Sequence, residues 1–182
     1  MTAAMGAVLC GGTSRRMGTD KCLLPVDGVP MVARVAAALR AAGCNPVVAV
    51  GGDGPALQAL GFAVLPDEYP GEGPLGGVIT ALGAAGDAEA VVVVACDLAD
   101  VGEGTIRALL AGLGSHDVAV ARGERVQPVC AAWRPSAALV LRSTFLHDER
   151  RMLHALRDLD VVEVAVHPQD LANVNTPSDL RQ

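Results

Sequence analysis

The sequence predicts an α/β fold in which a mainly parallel central sheet lies between two layers of helices. Two observations predict it. Unbroken apolar runs of strand length recur along the first half of the 182 residues, and such runs are typical of strands covered on both faces. Segments with apolar residues at helical spacing separate these runs, so right-handed crossover helices are expected to join successive strands.

Four apolar runs are predicted as buried parallel strands, at residues 7–10, 46–50, 62–65 and 90–95. The last contains four consecutive valines, and β-branched residues favour strands. Apolar residues before Gly43 follow the spacing i, i+3, i+4 and i+7, which predicts a helix that this glycine ends. These apolar residues are Val32, Val35, Ala36 and Leu39. Further helices are expected at 55–60, 74–85 and 103–113.

The pattern changes after Gly114. A polar turn at 122–125 lies between two apolar runs, which predicts a hairpin. The elements expected in this half are strands at 117–121, 126–133 and 161–166, helices at 135–146 and 150–159, and a short helix after Pro177. No repeat or linker interrupts the chain, so we expect a single domain over residues 1–182, with 115–182 inserted on the same sheet.

Composition restricts the class of protein. With 51% hydrophobic and 19% charged residues, the chain is expected to be globular. A net charge of −6 argues against nucleic-acid or anionic-membrane binding. The five cysteines form no C-x-x-C pair, so free thiols are expected rather than a zinc site or disulfides. The first apolar run is too short to span a membrane and lacks a preceding basic segment, so a cytoplasmic location is expected.

A glycine-rich, cationic loop follows the first strand. Residues 11–21 contain Arg15, Arg16 and Lys21 behind a pair of glycines. Glycine backbone can approach a ligand closely, and three cations can neutralise a polyphosphate. No Gly-Lys-Ser/Thr follows the glycines, so the loop is not a P-loop. The sequence therefore predicts a different kind of nucleotide triphosphate site, with residues 1–114 as the nucleotide-binding half and 115–182 as the acceptor-binding half.

A second glycine cluster at 71–76 matches G-x-G-x-x-G, which leaves a nicotinamide-dependent oxidoreductase as an alternative. Five residues separate these glycines from the preceding strand, whereas in a dinucleotide fold the strand leads directly into them. Asp97 follows the run at 90–95, where ligands of open α/β sheets collect. A carboxylate beside a triphosphate is a suitable Mg²⁺ ligand, and a helix N-cap is the alternative role for Asp97.

Six short motifs occur along the chain: Leu9-Cys10-Gly11-Gly12, Arg16-Met17-Gly18, Asp20-Lys21, Gly73-Pro74-Leu75-Gly76-Gly77, Cys96-Asp97 and Asn173-Val174-Asn175-Thr176-Pro177. In this order and spacing they resemble the MobA-like nucleotidyltransferase family. The Asn-Val-Asn-Thr-Pro and Gly-Pro-Leu-Gly-Gly motifs favour its molybdenum cofactor guanylyltransferase branch. This resemblance covers essentially the whole chain and implies a Rossmann-like three-layer α/β/α nucleotidyltransferase fold.

The resemblance also implies roles for individual residues. Arg16, Lys21 and Asp97 would be catalytic, the first two on the triphosphate and the third on Mg²⁺. The implied nucleoside contacts are Leu9, Gly11, Gly12, Gly51 and Asp67, and those near the pterin phosphate and metal are Asn173 and Asn175. Two positions depart from the family pattern. Cys10 replaces a more usual alanine, and Ala99 stands where a proline commonly follows Cys-Asp-x, so the family pattern does not predict the geometry just after Asp97.

The activity implied is transfer of GMP from Mg²⁺-GTP to the phosphate of molybdopterin. An anionic phosphate acceptor needs no general base, so the scattered histidines at 116, 147, 154 and 167 are expected to pack or face solvent. A transferase that uses CTP or another phosphorylated acceptor, and a nucleotide-binding protein without turnover, remain alternatives. The resemblance further implies transient contacts with other proteins of molybdenum cofactor synthesis, and the oligomeric state stays open.

Overall fold

The computed structural model describes residues 3–11 and 20–174. Within these ranges the strands are β1 (Ala4–Leu9), β2 (Pro25–Val26), β3 (Val29–Pro30), β4 (Val47–Val50), β5 (Ala63–Leu65), β6 (Ala90–Ala95), β7 (Val118–Arg122), β8 (Val126–Trp133) and β9 (Val161–Ala165). The α-helices are α1 (Met31–Ala41), α2 (Gly54–Ala59), α3 (Pro74–Gly83), α4 (Glu103–Leu113), α5 (Ala137–Leu146) and α6 (Met152–Ala155). Two 3-10 helices cover Lys21–Leu23 and Pro168–Leu171.

Seven strands form the central sheet in the order β5–β4–β1–β6–β8–β7–β9. β8 runs antiparallel to both of its neighbours, β6 and β7, and the other neighbouring pairs are parallel. The predicted α/β fold with a mainly parallel sheet is therefore confirmed. The predicted hairpin is also confirmed, since β7 and β8 pair across the turn at 123–125.

Helices cover both faces of the sheet. Side chains of α1, α2 and α4 pack on one face, and those of α3, α5 and α6 pack on the other. The valines of β6 alternate between them, because successive side chains of a strand point to opposite faces. Val92 and Val94 join the first core, whereas Val91 and Val93 join the second. The unbroken apolar run is thus explained by burial on both sides.

The boundaries of two elements differ from the predictions by three residues or more. β1 begins at Ala4, three residues before the predicted strand, because Ala4 and Met5 are also buried. The helix predicted at 150–159 is wrong in length, since α6 covers only Met152–Ala155. The carboxylate of Glu149 accepts bonds from the backbone N–H groups of Arg150 and Arg151 just before α6, and the chain leaves the helix in turns at 156–158. The helix predicted after Pro177 lies outside the described residues.

A small hairpin of β2 and β3 was not predicted from the sequence. Its two turn residues, Asp27 and Gly28, have φ angles of +51° and +76°. Two consecutive positive φ angles are typical of a type I′ turn, which favours Asp-Gly. This hairpin leads into the first turn of α1, where Met31 is fully buried.

The described helices do not include a candidate membrane span. None of them is long and apolar enough to cross a membrane. The longest, α1 and α4, each have 11 residues, whereas a spanning helix needs about 20.

All five cysteines are free thiols in the buried core. Burial raises the pKa of Cys44 to about 11 and that of Cys130 to about 12. The pKa of Cys96 is also raised by burial, and the pKa of Cys10 is raised by its contact with the thiol of Cys22 and by burial. Because the thiolate is the reactive form, these groups are chemically protected in the folded protein.

We therefore expect the native protein to react slowly with a thiol reagent such as Ellman's reagent at pH 8. Folding raises the pKa values of Cys10, Cys44, Cys96 and Cys130, so these four thiols stay protonated at a pH where unfolded cysteines, with a pKa of about 8.5, begin to ionise. Cys22 is fully buried and out of reach of the reagent. In denaturant all five should react rapidly. A rapid native phase that modifies one or more thiols would contradict the burial described above.

Candidate active site

Two oppositely charged side chains meet at the carboxyl edge of the sheet. Asp97 follows β6, and Lys21, the only lysine in the sequence, opens the first 3-10 helix. Nζ of Lys21 lies 3.1 Å from Oδ2 of Asp97, and the two side chains are 23% and 22% exposed. An ammonium binds phosphate as a point charge, and a carboxylate is a ligand that hard divalent cations prefer. The pair therefore has the chemistry of a triphosphate and metal site.

The sheet itself brings these residues together. β1 and β6 pair in parallel from Ala4 opposite Ala90 to Leu9 opposite Ala95, so the segments that follow them leave at the same edge. The chain runs from β1 to β4 on one side, and later returns to β6 on the other side of β1. Open α/β sheets bind ligands in the crevice at such a change of direction. Lys21 and Asp97 lie at this point.

Asp20 connects the loop after β1 to the loop after β4. Its Oδ2 accepts a 2.8 Å hydrogen bond from the backbone N–H of Asp53, which is the N-cap of α2. Gly52, the residue before Asp53, packs beside this bond and has a φ of +80°. A methyl group on Gly52 would lie 2.9 Å from Cβ of Cys10 and 3.0 Å from Oδ2 of Asp20. Sequence reasoning assigned no role to Asp20 or Gly52, although Asp20 belongs to the motif that carries the resemblance.

Asp67 lies beside the backbone of Gly11 and Gly51. Its Oδ1 accepts a hydrogen bond from the backbone N–H of Tyr69 at 3.0 Å and lies 3.2 Å from the hydroxyl of Thr80. A methyl group on Gly11 would lie 3.7 Å from Oδ2 of Asp67, and one on Gly51 would lie 3.2 Å from Cα of Gly11. The structure thus places Gly11, Gly51 and Asp67 at the same edge, as expected for one nucleoside site. That they contact a nucleoside stays a prediction.

The glycines at 71–76 lie in the loop before α3 and in the first turn of this helix. β5 ends at Leu65, and Gly73 is the N-cap of α3. The strand therefore does not lead into the glycines as it would in a dinucleotide-binding turn. Gly77 packs on Leu9, since a methyl group there would lie 3.0 Å from Cδ2 of Leu9. Leu9, predicted as a nucleoside contact, is 7% exposed and holds α3 against β1.

The carboxy-terminal segment reaches the same edge. The backbone N–H of Val174 donates a 2.9 Å hydrogen bond to the carbonyl of Asp97. Asn173 is exposed and adjoins this contact, so the structure brings it near the Lys21–Asp97 pair. Three further predicted site residues lie outside the described residues, and they are Gly12, Arg16 and Asn175.

A surface ion-pair network supports the loop that carries Asp67. The guanidinium of Arg142 forms two hydrogen bonds to the carboxylate of Glu68, at 2.8 and 3.0 Å, and a third to the hydroxyl of Tyr69 at 3.2 Å. The bond to Glu68 raises the pKa of Arg142 above its usual value. Isolated surface pairs contribute little to stability, but paired, bidentate geometry within a network is the favourable case.

The network continues through two rings. The ring of Tyr69 contacts that of Phe145 with 4.4 Å between centroids, and the guanidinium of Arg150 stacks on Phe145 at 3.8 Å. Arg150 also donates a 2.8 Å bond to Glu72. Residues 68–72, which come after Asp67, are thereby attached to α5 and the segment after it. Arg150 is therefore engaged with this loop.

A cleft of about 420 Å³ opens beside the β7–β8 turn. It is lined on one side by Arg125 and Gln127 and on the other by Gln169 and Ala172. Val174, two residues beyond Ala172, bonds to Asp97, so the cleft lies on the chain segment that reaches the charged pair. Arg122, at the end of β7, forms an ion pair with Glu163 on β9.

Trp133 is fully buried in the core. The four histidines each contact a nearby segment of the chain. His116 pairs with Asp160, His147 contacts the carbonyl of Ser143, His154 pairs with Glu149, and His167 caps the second 3-10 helix.

Solved structures of other proteins share this fold. A structure of molybdopterin-guanine dinucleotide biosynthesis protein A from Archaeoglobus fulgidus superposes with a TM-score of 0.77 at 25% identity, over 97% of this chain and 94% of that one. A protein of Mycobacterium tuberculosis in complex with manganese shares the fold, with a TM-score of 0.71 at 19% identity, over 98% of this chain and 96% of that one. The fold is that of nucleotidyltransferases.

The model of the MobA-like NTP transferase domain matches residues 6–164. The molybdenum cofactor guanylyltransferase of Rhodobacter capsulatus is 37% identical over 181 residues, which cover 96% of this chain and 92% of that protein. The chain therefore belongs to the MobA-like NTP transferase family and is a nucleotidyltransferase. The family resemblance drawn from the sequence motifs is confirmed.

Gly52→Ala is expected to reduce the free energy of unfolding by about 1–3 kcal/mol, because it combines a strained backbone with close contacts. The matched control is Gly61→Ala, since Gly61 has a similar φ of +84° but no neighbouring atom within 4 Å of an added methyl. Urea denaturation of both variants measures the difference. Equal losses would show that the contacts with Cys10 and Asp20 contribute nothing.

Proposed function

We propose that this protein transfers GMP from GTP, with Mg²⁺, to the terminal phosphate of molybdopterin and releases pyrophosphate. The single observation that carries the proposal is the Lys21–Asp97 pair at the switch point of the sheet. Relatives named molybdenum cofactor guanylyltransferase, at 31–37% identity over nearly the whole chain, support the choice of GTP and of molybdopterin. We further propose that the molybdopterin acceptor already carries molybdenum when it reacts.

The reaction forms one phosphorus–oxygen bond and breaks another. An oxygen of the acceptor's phosphate attacks the α-phosphorus of GTP. The bond between this phosphorus and the oxygen that bridges it to the β-phosphate breaks. Pyrophosphate leaves with the bond's electron pair. Because the attacking phosphate is already anionic near neutral pH, no proton has to be removed by a protein base. The chain's task is to position two anionic substrates and to neutralise their charge.

Lys21 supplies positive charge at this edge. In the described structure its ammonium contacts Asp97, and from the same place it can exchange this contact for phosphate oxygens of GTP. Arg16, outside the described residues, is proposed to add a second cation on the triphosphate. Gly11, Gly51 and Asp67 are proposed to line the nucleoside, where the glycines permit close approach of the base and ribose.

Asp97 fits a divalent cation. Its carboxylate is part-buried at the edge where the phosphates would lie. Among residues 3–11 and 20–174 no cluster of three or more His, Cys, Asp or Glu side chains could hold a metal by itself. Mg²⁺ suits one or two carboxylates completed by substrate phosphates and water, so a single Asp97 is an adequate protein ligand. Bound there, the cation would neutralise phosphate charge and orient the triphosphate. The manganese in the Mycobacterium tuberculosis structure supports a divalent metal.

The acceptor is proposed to bind in the half formed by residues 115–182. The cleft beside the β7–β8 turn offers the amides of Gln127 and Gln169 to a polar heterocycle and the cation of Arg125 to its anionic tail. Asn173 and Asn175 are proposed to lie between this cleft and Asp97, near the reacting phosphate. Contacts with other proteins of molybdenum cofactor synthesis would deliver the acceptor to this face.

Ligand-linked stabilisation tests the choice of nucleotide. A ligand at a hundredfold excess over its Kd stabilises the fold by about 2.7 kcal/mol. We expect GTP with Mg²⁺ to raise the Tm more than ATP, CTP, UTP or NAD. A response to CTP alone would replace the guanylyl assignment with a cytidylyl one, and a response to NAD alone would refute nucleotidyl transfer. Release of pyrophosphate that depends on added molybdopterin would separate an enzyme from a binding protein without turnover.

Lys21→Ala and Asp97→Asn are each expected to lower kcat by at least a hundredfold. The Tm of both variants is expected to stay close to that of the wild type. Both side chains act on charge that develops as the phosphate bond breaks, and each such contact is worth orders of magnitude in rate. Pyrophosphate release and thermal unfolding measure the two effects. Asp87→Asn serves as the matched control, because Asp87 is exposed in the loop before β6, at the opposite edge of the sheet. Wild-type turnover in either site variant would remove that residue from the mechanism.

A further inference from the structure

Asp97 lies in a turn between β6 and α4, outside regular secondary structure. Within this turn the backbone N–H of Leu98 bonds to the carbonyl of Ala95, and that of Val101 bonds to the carbonyl of Leu98, both at 3.1 Å. The direction of the Asp97 carboxylate toward Lys21 therefore depends on how the rest of the fold supports this turn.

Arg34, on the second turn of α1, supplies such support. Its Nε donates a 3.0 Å hydrogen bond to the carbonyl of Ala99, and its Nη2 donates a 3.0 Å bond to Oδ1 of Asp100. Its Nη1 lies 3.3 Å from Oδ2 of Asp27 in the β2–β3 hairpin. One planar guanidinium thus contacts two consecutive residues of the turn after Asp97, a geometry that an ammonium cannot reproduce.

The first turn of α1 holds the other side of the site as well. The backbone N–H of Met31 donates a 3.0 Å bond to the carbonyl of Leu24, which caps the 3-10 helix that begins at Lys21. Met31 also belongs to a small buried cluster that includes Ala99 and Val174. The segments that carry Lys21, Asp97 and Asn173 therefore all contact the start of one helix.

Ala99 takes part in both contacts with α1. Its side chain is 3% exposed and packs with Met31, and its backbone carbonyl accepts from Arg34. The bond from the guanidinium thus holds the backbone at the position where the family pattern did not predict the geometry.

We propose that Arg34 is a positioning residue that fixes the turn at 98–101 and thereby orients the carboxylate of Asp97 toward Lys21 and the metal-bound triphosphate. The inference rests on the proposed function for its catalytic consequence and on the contacts of Arg34 for its structural one. Arg34 itself touches no reacting atom.

Amide hydrogen exchange of the protein without nucleotide or metal tests the structural part. Arg34→Met is expected to speed exchange at Val101 and Val174 by tenfold or more, while Val92 in β6 keeps its wild-type rate. Arg107→Met is the matched control, because Arg107 also bonds to a carbonyl and a carboxylate, those of Ala41 and Glu103, away from the site. Equal rates at Val101 and Val174 in the wild type and both variants would overturn the proposal.

Steady-state kinetics tests the catalytic part. Arg34→Met is expected to lower kcat tenfold or more while KM for GTP stays within threefold, and Arg107→Met is expected to match the wild type. Arg34→Lys keeps one of the two turn contacts, so its kcat should lie between those of the wild type and Arg34→Met. This variant also carries the exchange test if Arg34→Met does not fold. Unchanged kcat in both Arg34 variants would overturn the positioning role, whereas a wild type that releases no pyrophosphate from GTP would overturn the proposed function and leave the exchange result standing.

Discussion

The parallel pairing of β1 with β6 is the constraint on which the site depends. Because these strands run in the same direction in register, the loop after Leu9 and the turn after Ala95 must emerge side by side. The contact of Lys21 with Asp97 is a consequence of this pairing, although 76 residues separate them along the chain. Packing on both faces fixes the register, since a slip of one residue would move each valine of β6 to the opposite core.

The scaffold and the site are held by different physics. Burial of apolar side chains on two faces holds the sheet, and this effect is not directional. Polar contacts fix the loops at the carboxyl edge: Asp20 accepts from the amide of Asp53, Asp67 accepts from Tyr69, and Arg34 donates to Ala99. These hydrogen bonds are directional and weaken steeply when their distance or angle departs from the preferred values. They can therefore hold a catalytic arrangement that apolar packing alone would leave loose.

The sequence predicted most of the fold because the decisive signals were local. Unbroken apolar runs and helical spacing reflect burial on two faces, and β6 and α4 have the predicted boundaries. The same reasoning placed Lys21 and Asp97 at one edge, since parallel strands end together. It missed the contacts of Arg34 and Asp20, because their partners Asp100 and Asp53 are distant in sequence and no local pattern indicates such contacts. It also missed the β2–β3 hairpin, although Asp-Gly between valines is a turn signal. The length of α6 was wrong mainly at its end, because the chain turns at 156–158 although the apolar spacing continues.

That Lys21 is the only lysine in the sequence has a chemical consequence. Reagents that acylate or reductively alkylate primary amines have, apart from the chain's α-amino group, a single target, and this target lies beside Asp97. Modification would remove the positive charge on acylation and lengthen the side chain in either case. Among side chains, attachment or labelling through amines would therefore modify the one lysine beside Asp97, whereas the thirteen arginines that carry the remaining fixed cations would be untouched.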